Sequence, residues 1–113
     1  MNARRPHIPC VQLLWFEGCP NHQAAEALLR DVMHKCGVDA PVERIEVADE
    51  QAGIGVCFPG SPTIRIDYRD VEPDWTPCVD CTPRCRLYLT SAGLRPLPDR
   101  EWIGQALRTA IAG

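Results

Sequence analysis

Trp15-Phe16-Glu17-Gly18-Cys19-Pro20-Asn21-His22 is the stretch on which the fold turns. An apolar run ends here and a helical pattern begins, with a cysteine at the junction and a proline directly behind it. This order puts a thiol on the first turn of a helix, where backbone N–H groups lack carbonyl partners and the helix dipole favours negative charge. The thiolate is the reactive form of cysteine, so the placement predicts a lowered pKa and an activated Cys19.

Upstream, Cys10 to Phe16 reads as the first strand, with Val11, Leu13 and Trp15 on one face and Gln12, Leu14 and Phe16 on the other. A run apolar on nearly both faces fits a central strand covered on two sides. Residues 1–8 read as a flexible leader, with no apolar stretch of signal-peptide length after the basic start. Downstream, a helix is expected from Pro20 to Cys36. Its apolar stripe is Ala25, Leu28, Leu29, Val32, Met33 and Cys36, and Gly37 closes it. Cys36 lies on that stripe and reads as a small buried hydrophobe.

Pro41 to Val47 alternates imperfectly and predicts an edge strand, and Ala48 to Val56 predicts a short helix. Cys57-Phe58-Pro59-Gly60-Ser61-Pro62 is a loop, and Thr63 to Asp67 a strand. A hairpin turn is expected at Tyr68-Arg69, leading into Asp70-Val71-Glu72. Pro73 to Arg84 and Ser91 to Pro98 read as loops on either side of a short strand at Leu87-Tyr88-Leu89. Asp99 is the expected N-cap of a last helix with Ile103, Ala106, Leu107, Ala110 and Ile111 as its apolar stripe. The order predicts one α/β domain over residues 9–113: a central mixed sheet of about four strands, helices on both faces and a parallel first strand pair.

With 113 residues, 45% hydrophobic and 24% charged, the chain suits one soluble domain with a modest core. A net charge of −3 argues against nucleic acid or an anionic membrane as partner, and no apolar run approaches the ~20 residues of a membrane span. Seven cysteines without a secretion signal predict a reducing, cytoplasmic setting, where cysteine clusters point to redox chemistry or metal binding.

The strand ending Trp15-Phe16, the Cys19-Pro20-Asn21-His22 turn and Gly60-Ser61-Pro62-Thr63 ahead of a hairpin together resemble the thioredoxin-like superfamily. The resemblance spans roughly residues 9–111 in element order. It implies that Cys19 is the motif cysteine, that Pro62 is a cis-proline beside it, and that Ser61 offers backbone hydrogen bonds to substrate. The chain departs from the usual Cys-x-x-Cys, because His22 holds the second position. A dithiol cycle within the motif is impossible. Either Cys19 works as a single thiol, or another cysteine reaches it. His22 has two readings: a partner favouring the thiolate or donating a proton to a leaving thiol, or an exposed first-turn residue.

Cys78-x-x-Cys81-x-x-x-Cys85 is a second constellation. Three thiols this close suit a soft metal such as zinc, mercury or copper, with a fourth ligand still to be found among Cys57, Cys19 or a histidine. Alternatively one of them, Cys85 above all, resolves Cys19, or all three are unligated loop cysteines. Cys57 reads as a core-corner residue or a further partner thiol, and Cys10 as structural. A narrower resemblance, carried by Phe16 to His22, Phe58 to Asp67 and Cys85-Arg86-Leu87-Tyr88, is to small bacterial thioredoxin-like proteins, some labelled alkylmercury lyase. That label implies two thiols gripping mercury and a proton-donating carboxylate such as Glu17.

Three functions follow. The leading one is thiol–disulfide oxidoreductase chemistry, with Cys19 attacking, Cys85 or a small-molecule thiol resolving the intermediate, His22 assisting, and Ser61-Pro62 docking a thiol or disulfide substrate. The second is soft-metal binding or organomercurial processing. The third is a redox-inactive interaction module.

Overall fold

Val11–Trp15 forms strand β1, the centre of the structure, because its alternate side chains feed two separate cores. The structure is a computed structural model that describes residues 7–73, 75 and 80–112. After β1 come helix α1 (His22–Lys35), strand β2 (Val42–Glu46) and helix α2 (Glu50–Val56). Strands β3 (Thr63–Ile66), β4 (Arg69–Asp70), β5 (Tyr88–Thr90) and β6 (Gly93–Arg95) follow, and helix α3 (Arg100–Ala112) ends the chain. The main sheet runs β2-β1-β3-β4, with β1 parallel to β2 and antiparallel to β3, and β4 antiparallel to β3. Among the described residues it is an α/β fold with a four-strand mixed sheet and three helices.

Val11 and Leu13 join Ile64 and Ile66 of β3 under α1 and α3, which bring Ala25, Leu29, Val32, Met33, Ile103 and Leu107. Leu14 points the other way, into a smaller cluster with Val47 and Phe58, flanked by Ile45 and by Val56 of α2. Helices therefore cover both faces, as the two-sided apolar run of β1 demands. β2 is an edge strand, and its polar side chains find local partners: Gln12 Nε2 donates to Glu43 at 2.8 Å, and Arg44 pairs with Glu26 of α1.

The helix ends follow their capping chemistry. Gly37 (φ 68°) closes α1 with Val38 N–H donating to Met33 O at 2.9 Å, a Schellman closure. Asp49 caps α2 by accepting from the Ala52 N–H, and Asp99 caps α3 by accepting from the Glu101 N–H.

Three expectations are corrected. The β3–β4 turn falls on Asp67-Tyr68, one residue earlier than the Tyr68-Arg69 turn read from sequence, and both residues have positive φ (50° and 67°). Asp67 is held in this conformation by the Cys10 N–H and by His7 Nε2, each donating to its carboxylate at 2.8 Å. Residues 93–95, read as loop, form β6 against β5. Ile111 turns outward, 38% exposed, instead of completing the α3 stripe. Residues 1–6 of the expected leader lie outside the described residues.

A strap over residues 84–88 crosses the loop before β3. Ser61 and Cys85 form a parallel bridge: Ser61 N–H donates to Arg84 O at 2.7 Å, and Arg86 N–H donates to Ser61 O at 2.9 Å. The strap alternates strictly, with Arg86 and Tyr88 buried and Cys85, Leu87 and Leu89 exposed. Arg86 donates to both carboxylate oxygens of Asp70 (2.6 and 3.0 Å), to Glu72 (2.8 Å) and to Thr63 Oγ1 (2.9 Å). Its guanidinium lies 4.2 Å over the Tyr88 ring, and the Tyr88 hydroxyl donates to Pro62 O. Gly60 (φ 126°) permits the crossing, since a Cβ there would stand 2.8 Å from Arg86 Cβ.

The Asp70 side chain is 1% exposed and that of Arg86 6%. Removing one member of such a pair leaves the other charge buried and uncompensated. Arg86→Met should lower the unfolding free energy by about 3–5 kcal/mol, read from urea denaturation. Glu26 offers a separate acid-range check. Its bonds to Arg44, outweighing partial burial, hold its carboxyl at about 2 against an ordinary 4.5. A depressed carboxylate stabilises above its unfolded pKa, and that contribution is lost as pH falls through the folded value. Stability should therefore drop between pH 4.5 and about 2, and Glu26→Gln should flatten that part of a stability–pH curve.

Candidate active site

The turn between β1 and α1 carries Cys19. Its N–H donates to Phe16 O at 3.2 Å, and a side chain at Gly18 would displace the Phe16 ring, 2.5 Å from the position of its Cβ. α1 begins at His22 with Asn21 as N-cap, so Cys19 sits just ahead of the helix rather than on its first turn. The Asn21 side chain makes no capping hydrogen bond. Its Nδ2 instead donates to Cys19 Sγ at 3.6 Å.

Cys19 has no accessible surface. Its S–H donates to Ser61 O at 3.4 Å, the same carbonyl that accepts the Arg86 N–H. The Ser61–Pro62 peptide bond is cis. Ser61 Oγ is fully buried and has no hydrogen-bond partner among the described residues. Ser61 thus presents two faces to the sulfur. Its carbonyl accepts from the neutral thiol, and its hydroxyl remains available to donate to a thiolate.

Cys85, set beside Ser61 by the strap bridge, is the other sulfur at the site. The two thiols act on each other. Burial pushes the Cys19 thiol up, but the Asn21 backbone N–H, the Cys85 thiol, Ser61 and the Asn21 amide together hold it below its ordinary value. Cys85 moves the opposite way, raised by its contact with Cys19, by partial desolvation and by the Cys19 charge. The thiolate of Cys19 is therefore favoured by individual donors converging on one sulfur. Both cysteines are free thiols in this structure.

His22 turns away from the sulfur. Its Nδ1–H donates to Cys19 O at 2.9 Å, and its ring stacks on Trp15 with centroids 4.5 Å apart. The Cys–His pair envisaged from sequence is not formed, because the imidazole steadies the turn through the backbone. Glu17 is exposed. Cys57 does not fill a core corner. It is the left-handed C-cap of α2 (φ 51°, ψ 54°), exposed, and the adjacent Phe58 fills the corner instead.

Of the 78–85 constellation, Cys78 lies outside the described residues. Cys81 is half-buried, and its carbonyl packs against Gly53 of α2, where a Cβ would stand 2.0 Å from the oxygen. Among the described residues no group of three or more histidine, cysteine or acidic side chains gathers as a metal site. Cys19, Ser61, Pro62 and Cys85 come together; Cys81 and His22 do not join them through their side chains.

Two contributors escaped the sequence reading. Asn21 was in plain view within the motif, and a short amide two residues beyond a cysteine was the available signal. For Arg86 the available signal was its place on the same strand face as Tyr88. Comparison with known proteins finds no matching family, no matching curated protein and no matching solved structure. No described helix is long and apolar enough to cross a membrane.

Removing a donor to the thiolate must raise the pKa of Cys19. Ser61→Ala deletes a hydroxyl that makes no hydrogen bond among the described residues, yet it should move the Cys19 thiolate absorbance to higher pH, as should Cys85→Ala. An unchanged titration in Ser61→Ala would assign the hydroxyl no part in the site.

Proposed function

We propose that the chain is a thioredoxin-like thiol–disulfide exchange protein whose working pair is Cys19 and Cys85 in place of a Cys-x-x-Cys motif. The carrying observation is geometric: Ser61 takes the Cys19 S–H on its carbonyl and pairs with Cys85 through the strap bridge, so both thiols meet at one residue. A dithiol arranged in this way readily holds one shared proton, the state from which exchange starts. The β1-turn-α1 order, the thiol in that turn and the cis Ser61–Pro62 bond beside it support the thioredoxin-like reading. Cys19 is the stabilised thiolate, Ser61 receives or donates its hydrogen bond, and Cys85 completes the redox couple. The substrate is a thiol or disulfide met in a reducing compartment, the cytoplasm.

The soft-metal alternative draws on the same two sulfurs. It lacks a third ligand among the described residues, since neither a histidine nor Cys57 or Cys81 gathers with them. Organomercurial cleavage further requires a carboxylate at the sulfurs, and Glu17 is exposed.

Mild oxidation of the reduced chain should yield a single intramolecular disulfide, which peptide mapping should assign to Cys19–Cys85. The wild-type chain should accelerate the reduction of insulin by dithiothreitol, and both Cys19→Ser and Cys85→Ser should abolish that acceleration. Oxidation that pairs other cysteines, or serine variants as active as the parent, would sink the reading. Stoichiometric zinc, copper or mercury released together with both thiols would replace it with the metal alternative.

A further inference from the structure

The two sulfurs of the pair differ in access. Cys19 has no accessible surface, roofed by the Ser61-Pro62 loop and the Asn21 amide. Cys85 lies on the outward face of the strap, in the same row as Leu87 and Leu89, which are 63% and 71% exposed. Exchange requires the attacking sulfur to approach a disulfide from outside the protein, so access ranks the two sulfurs before reactivity does. A buried thiol meets solvent reactants only through local opening.

We propose that exchange enters through Cys85: Cys85 Sγ makes the bond to the substrate sulfur, and the buried Cys19 acts only on Cys85. This rests on the exchange reading above and reverses the order that the motif position of Cys19 implies. In the structure Cys19 is protonated and its S–H donates to Ser61 O. Cys85 enters as the thiolate, its proton given up to water. The Cys85 thiolate attacks a substrate disulfide R–S–S–R′, forms Cys85–S–S–R and expels R′S⁻. R′S⁻ takes the Cys19 proton as R′SH, the Cys19 thiolate attacks Cys85 Sγ, the S–S bond between Cys85 and the R sulfur breaks, and R leaves as RS⁻. The substrate disulfide gains two electrons, and the protein is left with a Cys19–Cys85 disulfide. One negative charge enters with Cys85 and one leaves with RS⁻. In the reverse direction an external thiolate attacks the exposed Cys85 sulfur, and Cys19 departs as the thiolate that Asn21 and Ser61 stabilise. A good leaving thiol is one of low pKa, which suits Cys19 to that task.

Oxidised glutathione is the probe, applied to the full chain at mildly alkaline pH, with acid quenching and peptide mapping. Cys19→Ser should collect glutathione on Cys85. Cys85→Ser should leave Cys19 unmodified in the native state and modify it in urea, with native initial rates at residues 85 and 19 differing by at least about tenfold. Native trapping on Cys19 at an equal or higher rate would overturn the assignment while leaving the exchange reading intact. Failure of the wild-type chain to form a Cys19–Cys85 disulfide would remove the exchange reading and this inference with it. A short iodoacetamide pulse on the reduced wild-type chain needs no variant. Label should reach Cys85 before Cys19, and the opposite order refutes the proposal.

Discussion

A guanidinium buried at the sheet edge decides where both sulfurs lie. Arg86 joins β4, the loop before β3 and the strap into one unit through Asp70, Glu72 and Thr63, with Tyr88 beneath it. Taking such charges out of water costs several kcal/mol per ion, and only a full set of directed partners offsets that. The forked head of arginine meets this geometry, and the point charge of lysine does not. With Arg86 fixed inward, strand alternation leaves no choice for its neighbours. Cys85 must face outward at Ser61, and the Ser61 carbonyl must take the Arg86 N–H on one side and the Cys19 thiol on the other. Specificity of placement, more than net stability, is what this cluster supplies.

The chemistry of Cys19 is local. Its turn precedes α1, so the low pKa comes from named donors rather than from the helix as a whole. Asn21 gives up the capping bond usual at its position and serves the sulfur, while His22 and Trp15 brace the turn from behind. The same sulfur is buried, which alone would push its pKa up. The site is thus a balance in which desolvation is outweighed by converging hydrogen bonds, and loss of any one donor tips it back.

Much of the fold was legible in the sequence because long apolar patterns are strong signals. The two-sided run of β1, the α1 stripe with Gly37 behind it, and Asp99 ahead of α3 all reappear in the structure. Short features were harder. The Asp67-Tyr68 turn has no glycine, and its positive φ angles are stabilised by His7 and by the Cys10 backbone, contacts distant in sequence. The strap is ambiguous in another way. Period-two alternation shows which residues share a face but not which face is inside. In Cys85-Arg86-Leu87-Tyr88-Leu89 hydrophobicity favours the leucines, yet the charged and hydroxylated face is the buried one. Asp70 and Glu72, brought alongside by the β3–β4 hairpin, reverse that preference. For the site, Cys19 and the Ser61-Pro62 loop were visible as motifs. Cys85 was singled out among the cysteines, but its place beside Ser61 comes only through the strap.

The two sulfurs come from opposite ends of the domain, one just after the first strand and the other close to the last helix. Folding alone brings them together, so the chain itself sets their effective concentration. A bond between them closes a loop of most of the domain, a constraint worth about 4 kcal/mol against the unfolded chain in the simplest entropic account. Oxidation state and folding stability are then two sides of one thermodynamic cycle. Whatever tightens the Arg86 clamp makes the pair easier to oxidise and harder to reduce, and whatever loosens it does the reverse. On the exchange reading, the midpoint potential of this dithiol is a property of the whole fold, adjustable from residues that never touch sulfur.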